Sequence, residues 1–156
     1  MKLRLIAVGT RMPAWVREGF EEYARRLPRE CSLELAEIPV AERGKNADIP
    51  RLKKAEAEKI LKALPRDAYV IAFDEGGESL STVQWCTALG QWMRDGRDVA
   101  LIVGGPDGLA SEALARADRK WSLSRLTLPH PLVRVLVAEQ LYRAWTLTTN
   151  HPYHRS

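Results

Sequence analysis

The last nine residues, Thr148-Thr149-Asn150-His151-Pro152-Tyr153-His154-Arg155-Ser156, concentrate side chains that can do chemistry. An aromatic ring, imidazoles, an amide and a guanidinium are the groups with which unpaired RNA bases are stacked upon and read. Histidine is also the side chain best suited to moving a proton at neutral pH. The plain alternative is a frayed terminus of accidental composition. His151 and His154 have a spacing that could hold a metal, but no third ligand is evident, so no metal is expected.

A second chemical segment is Gly104-Gly105-Pro106-Asp107-Gly108. Glycines let backbone approach a ligand closely and adopt positive φ without penalty. A tight strand-to-helix turn would need only one or two of them, so the run tilts toward a ligand loop. It does not match the dinucleotide fingerprint GxGxxG. Gly44-Lys45 is not a phosphate loop, because Pro39 stands where its first glycine belongs and Asn46 follows the lysine. There is no GxSxG elbow and no HExxH pair.

The elements that must position these segments alternate in period. Leu3–Gly9 is a short apolar run, after which Val16, Phe20, Tyr23 and Leu27 recur at helical spacing. Leu33–Ile38 alternates as a strand does, and Ala47–Leu64 is rich in helix formers. Tyr69–Phe73 predicts a buried strand, and Val83, Cys86, Leu89 and Met93 share one helical face. Asp98–Val103 predicts another strand, followed by a short helix from about Ser111 with Ser111 as its N-cap. Trp121–Leu128 predicts the fifth strand and Leu132–Thr148 the last helix. Strands and helices in strict alternation predict an α/β domain with a mostly parallel sheet flanked by helices. Prolines 13, 28, 39, 65, 106, 129 and 131 all fall at predicted ends. No repeat, low-complexity tract or linker interrupts residues 1–156, which read as one domain. In such sheets ligands bind beyond the carboxyl ends of the strands. That rule selects Phe73–Gly77, Gly104–Gly108 and Ser124–Leu128 leading into Pro129-His130-Pro131.

The last helix is unusual. From Leu132 to Trp145, ten of fourteen residues are apolar and fall almost all round the axis. A terminal helix on an exposed sheet face should have one wide polar side. This pattern predicts cover on two sides, either from a second protomer or from the helix's own domain.

Composition closes off other classes. The chain has 156 residues, 46% of them hydrophobic and 28% charged, which is a globular balance. The longest clean apolar runs are about five residues, far short of a membrane span, and the stretch Leu5–Val8 is too short for a signal peptide. Cys31 and Cys86, 55 residues apart, read as reduced thiols of a cytoplasmic protein. The net charge of +4 is uneven: residues 1–66 carry +5, residues 67–118 carry −6 and residues 119–156 carry +5. Basic ends around an acidic middle point to a polyanion such as nucleic acid, or to ordinary solvated surface.

Taken together, the string Leu128-Pro129-His130-Pro131-Leu132-Val133-Arg134, then Glu139, Tyr142-Arg143-Ala144-Trp145 and Asn150-His151-Pro152-Tyr153-His154-Arg155, resembles the RlmH family. These are SPOUT-class enzymes that methylate N3 of a pseudouridine in large-subunit (23S) ribosomal RNA. Ala7-Val8-Gly9-Thr10, Arg43-Gly44-Lys45-Asn46-Ala47-Asp48, Asp95-Gly96-Arg97-Asp98 and the glycine run also match, so the resemblance covers the whole chain. Phe73 departs from it, since an aliphatic residue is usual there.

The resemblance implies a SPOUT-type fold with a C-terminal deep trefoil knot, which general rules against threaded chains would not have predicted. It implies an obligate homodimer, S-adenosyl-L-methionine as cofactor, and rRNA in the large subunit or assembled ribosome as substrate. The cofactor contacts it implies are Phe73, Gly105, Ser124, Arg125, Leu126, Thr127, Leu128 and Pro129, the strand ends already selected. For the tail, the expectation is that Tyr153 stacks on or orients the base, Arg155 binds a phosphate or base carbonyl, and His154 assists removal of the N3 proton. Arg43, Lys45, Lys53, Lys54, Arg119, Arg125, Arg134 and Arg155 are candidate phosphate contacts. Two other readings stay open: a non-catalytic RNA-binding module, and a SPOUT methyltransferase acting on transfer RNA.

Overall fold

β4 (Val99–Val103) and the Leu5–Val8 part of β1 (Lys2–Val8) are continuous apolar runs because both lie inside the sheet, covered on each face. The computed structural model describes residues 1–155; Ser156, the end of the tail string, lies outside the described residues. The remaining strands are β2 (Ser32–Ile38), β3 (Tyr69–Ser79) and β5 (Arg119–Ser122). Every pairing is parallel, in the order β2-β1-β4-β3-β5, so the sheet is wholly rather than mostly parallel.

The helices are α1 (Ala14–Ala24), α2 (Ile49–Ala63), α3 (Thr82–Asp95), α4 (Ser111–Arg116) and α5 (His130–Thr148). Successive strand side chains point to opposite faces, and β1 sorts them cleanly. Leu3, Leu5 and Ala7 meet Phe20 of α1, Leu89 of α3 and Leu141 of α5. Ile6 and Val8 meet Ile60 of α2 and Ala113 of α4. The architecture is therefore three layers, with α1, α3 and α5 on one face and α2 and α4 on the other.

Three sequence expectations change. The fifth strand stops at Ser122 instead of reaching Leu128. There the Ser122 hydroxyl donates to the Ser124 carbonyl and the Leu126 amide donates to Oγ of Ser124, so side chains take over from the ladder. β3 continues past Phe73 to Ser79, with a register break between Phe73 and Glu78 that expels Asp74–Gly77 from the pairing. Ser111 is the first residue of α4 and not its cap; Ala110 holds the cap position without a side-chain bond. α3, by contrast, opens on a full capping box from Ser81 and Gln84 and closes on Gly96 at φ +71°.

α5 answers the two-sided pattern largely from within. It lies between α1 and α3, with Val137 and Leu141 fully buried, each worth roughly 1.5–3 kcal/mol against exposure. Leu132, Leu136 and Leu147 remain half-buried on its outer side, whereas Val135 packs against Gly19 of α1 and Trp145 against the core. Cys31 is buried, Cys86 half-buried, and both are free thiols. Among the described residues, no helix is long and apolar enough to cross a membrane.

Candidate functional site

A cavity of about 590 Å³ opens beyond the carboxyl ends of β3, β4 and β5, at the N-terminal end of α5. Its size is that of a small-molecule site. Of the residues expected there, Phe73, Gly105, Ser124, Leu126, Thr127, Leu128 and Pro129 line it; Arg125 is exposed and does not.

The glycine turn is shaped by close approach. A Cβ on Gly104 would stand 2.5 Å from the Gly108 carbonyl carbon, and one on Gly105 would stand 3.0 Å from Cγ1 of Val8. Gly108, at φ +79°, donates its amide to the Gly105 carbonyl at 3.0 Å. The result is a wall of backbone, able to offer amides and carbonyls to a ligand without side chains in the way. Arg43 secures the turn from below. Its guanidinium reaches Asp107 at 2.7 Å and Glu56 at 3.3 Å, and Glu56, only 3% exposed, also accepts the Ala41 amide at 3.0 Å. Asp107 and Glu56 hold the Arg43 guanidinium firmly protonated. This makes Arg43 a structural clasp and not a free phosphate contact.

The other walls are the expelled segment of β3 and the loop into α5. Asp74 and Glu75 stand at the mouth with Lys53 of α2, and Asp74 accepts the Gly76 amide at 3.1 Å. The Phe73 ring stacks on Trp85 at 6.0 Å, so its extra width is absorbed by the core. His130 and Val133, the first inward residues of α5, complete the floor. Burial lowers the His130 pKa, and the neighbouring Arg134 lowers it further, so the ring is neutral at neutral pH. Lys53, expected from the sequence only as a phosphate contact, and His130 lie outside the implied cofactor contacts. The strand-end rule reached as far as Pro129-His130-Pro131, but no pattern in the sequence says that α2 bends its Lys53 to the same opening.

Arg134 is the clearest correction. It was counted among phosphate contacts, yet it is 1% exposed, paired with Glu37 at 2.7 Å and bonded to the Gly9 carbonyl at 2.7 Å. It locks α5 to the ends of β1 and β2.

The tail is ordered, not frayed. Asn150 at φ +58° turns the chain back after α5, and the His151 amide donates to the Thr146 carbonyl at 2.9 Å, which is a Schellman closure. The Tyr153 hydroxyl donates to Glu139 at 3.0 Å, and its ring meets Tyr142 edge-on at 4.7 Å. Burial first, then the Glu139 carboxylate, pushes the Tyr153 phenol up to about 12. His154 Nδ1 lies 3.4 Å from Nη1 of Arg143. Because guanidinium can only donate, Nδ1 accepts and the ring proton is on Nε2. His151 Nδ1 accepts the Tyr153 amide at 3.1 Å, and no cluster able to hold a metal occurs among the described residues. Arg155 is exposed.

No tail residue lines the cavity. The cavity sits at the N-terminal end of α5, and the tail, turning back from the other end, reaches only as far as Glu139, nine residues or about 14 Å of helix from His130.

Comparison with known proteins finds similarity over almost the whole chain. A family model described as predicted SPOUT methyltransferase matches residues 1–154. The chain is 58% identical over 155 residues to Ribosomal RNA large subunit methyltransferase H of Thioalkalivibrio sulfidiphilus, covering 99% of each chain. It is 57% identical to the protein so named in Methylococcus capsulatus, covering 99% of this chain and 100% of that one. Among solved structures, a probable methylase family protein of Haemophilus influenzae shares the fold at TM-score 0.57 and 14% identity, over 99% of this chain and 70% of that one. A probable methyltransferase of Bordetella pertussis does so at TM-score 0.57 and 17% identity, over 91% and 95%.

Proposed function

The chain belongs to the SPOUT methyltransferase family, and from that membership we propose that it methylates N3 of a pseudouridine in large-subunit (23S) ribosomal RNA, on the assembled ribosome in the cytoplasm. The observation that carries the reading is the cavity at three strand ends with its backbone-walled glycine turn. The full-length relatives supply the rRNA substrate.

S-adenosylmethionine fits this cavity in size and in the chemistry of the glycine turn, whose backbone amides and carbonyls stand in its wall; when bound, it would supply a methyl group already activated on a sulfonium. The protein's task is then alignment and removal of one proton. Gly105, Ser124 and residues 126–129, which line the cavity, would hold the adenosine part, with Arg125 beside them at the surface. Arg155 is exposed and holds a phosphate or base carbonyl. Tyr153 orients the base through a tail that Glu139 and Tyr142 anchor. His154 takes the N3 proton on Nδ1, the ring's one basic nitrogen, once the contact to Arg143 yields. The tail must therefore come from a second copy. A homodimer pairing the outer sides of α5, where Leu132, Leu136 and Leu147 are half-buried, brings each tail to its partner's cavity. The family's trefoil knot, with 1–156 as one domain, is part of the same reading.

The test is transfer of tritiated methyl from S-adenosylmethionine to ribosomes lacking the modification. Label in ribosomes and none in free transfer RNA is expected; the reverse assigns a different RNA, and no label in either leaves a non-catalytic module. Deleting residues 153–156 should abolish transfer and spare cofactor binding by calorimetry. Mixing that deletion with a Gly104→Ala chain, intact in its tail, should restore activity. No restoration after subunit exchange places the tail in its own chain's site.

A further inference from the structure

Two buried polar atoms beside the cavity have no partner: Nδ1 of His130 and Nε of Arg134. The two residues are at i and i+4 of α5 and so share a helix face. Arg134 cannot turn away, because Nη1 is bound to Glu37 and Nη2 to the Gly9 carbonyl, each at 2.7 Å. Nη2 of Arg134 and Cε1 of the His130 ring both pack beside Gly9, and a fixed cation near a buried Nδ1 that meets no acceptor favours a lone pair there over a proton. The ring hydrogen is then on Nε2. Since His130 lines the cavity while Nδ1 is shut away from it, the Nε2 edge is the polar edge left to a ligand.

We infer that His130 is a binding residue of the cavity, its Nε2–H a neutral hydrogen-bond donor to an oxygen or ring-nitrogen acceptor of the methyl donor, and that Arg134 is the positioning residue that holds it in this tautomer. The inference rests on the cavity being the methyl donor's site.

Neutrality is the useful property. A second cation in the cavity would oppose the sulfonium, whereas a neutral N–H binds without that cost. The charged groups facing this region are Lys53 from α2, Asp74 and Glu75 from β3, Asp107 from the glycine turn, Glu56 behind it and Arg134 from α5. Burial and Arg134 keep His130 neutral, with Glu56 opposing them. The sign is therefore clear: His130 stays uncharged at neutral pH and gains its charge only in acid, below the ordinary histidine range.

Three measurements on the full chain test this. Nitrogen-15 spectra of histidine-labelled protein should show the Nε2–H tautomer for His130, assigned by its loss in His130→Gln; an Nδ1–H form overturns the inference. Calorimetry from about pH 8 to pH 5 should show S-adenosylmethionine weakening more on acidification than its uncharged thioether product, as the imidazole gains charge. At neutral pH, His130→Ala should weaken both ligands by roughly fivefold to tenfold, the loss of one neutral hydrogen bond. His130→Gln, whose amide N–H reaches the Nε2 position, should keep most of the affinity. If the differential acid response persists in His130→Ala, this role for His130 is wrong. Unchanged affinity in His130→Ala is equally fatal. Should wild-type protein with the expected tautomer bind neither ligand, it is the cavity reading that fails.

Discussion

Arg134 of α5 and Glu37 at the end of β2 form an ion pair at 2.7 Å, with the guanidinium 1% exposed and the carboxylate 32%. Ninety-seven residues separate them in the chain. The pair ties the last helix to the edge strand across the carboxyl end of β1, where the Gly9 carbonyl accepts from the same guanidinium.

Removing the carboxylate leaves a buried cation with only carbonyls for company. Glu37→Gln should cost about 3 kcal/mol, the lower end for one partner lost from a buried pair. Urea titration should register it as a lower midpoint at unchanged slope. Glu34→Gln, which breaks the open Arg4–Glu34 pair at 3.4 Å, should cost less than about 1 kcal/mol. Equal costs would mean that burial does not decide the matter.

Tyr153 should report on the tail. Of the chain's four tyrosines, its phenol is the one pushed up to about 12, and ultraviolet titration of wild type against Tyr153→Phe should isolate it. A raised phenol pKa means the tail's anchorage is fully present below the ordinary tyrosine value near 10 and is lost as pH rises through about 12. Tyr153→Phe should lower rRNA methylation by roughly tenfold, through misplaced groups, with cofactor affinity unchanged.

The glycine turn should sort substitutions by space. Gly104→Ala must push the Gly108 backbone, 2.5 Å from the new Cβ, and should abolish cofactor binding with a stability loss of about 1–3 kcal/mol. Gly108→Ala has room but sits at φ +79°, so it should cost about 1 kcal/mol. Gly44→Ala meets nothing within 4 Å and should be silent in both calorimetry and thermal melts.

Charge reversal of roles is testable by salt. Arg125 and Lys45 are exposed, so neutralising either to Gln should reduce the salt slope of ribosome binding by about 1 if it meets a phosphate. Arg43→Gln should leave that slope alone and instead strand Glu56, lowering stability by about 3 kcal/mol.

Alternating periodicity was enough to place the strands and helices, because burial on one stripe or on both faces leaves its period in the residues themselves. Leu3–Gly9 is legible in that way as a short apolar run, though its sorting of Leu3, Leu5 and Ala7 from Ile6 and Val8 onto two faces is not. The end of β5 was not, because Ser122 and Ser124 replace ladder bonds with side-chain bonds that no apolar pattern records. The strand-end rule selected Phe73–Gly77, Gly104–Gly108 and Ser124–Leu128, and residues from each of these segments, though not Arg125, line the cavity.

Arg134 and Tyr153 mark the boundary. In the sequence, Arg134 is a lone cation on an apolar helix and Tyr153 a ring in a polar tail; both read as RNA contacts. Only packing reveals that the first is sealed against Glu37 and that the second donates to Glu139. A residue's own type and spacing carry its local preference. The partners that redirect it come from distant segments, and a charge that meets its counter-ion 97 residues away leaves no trace in the residues beside it.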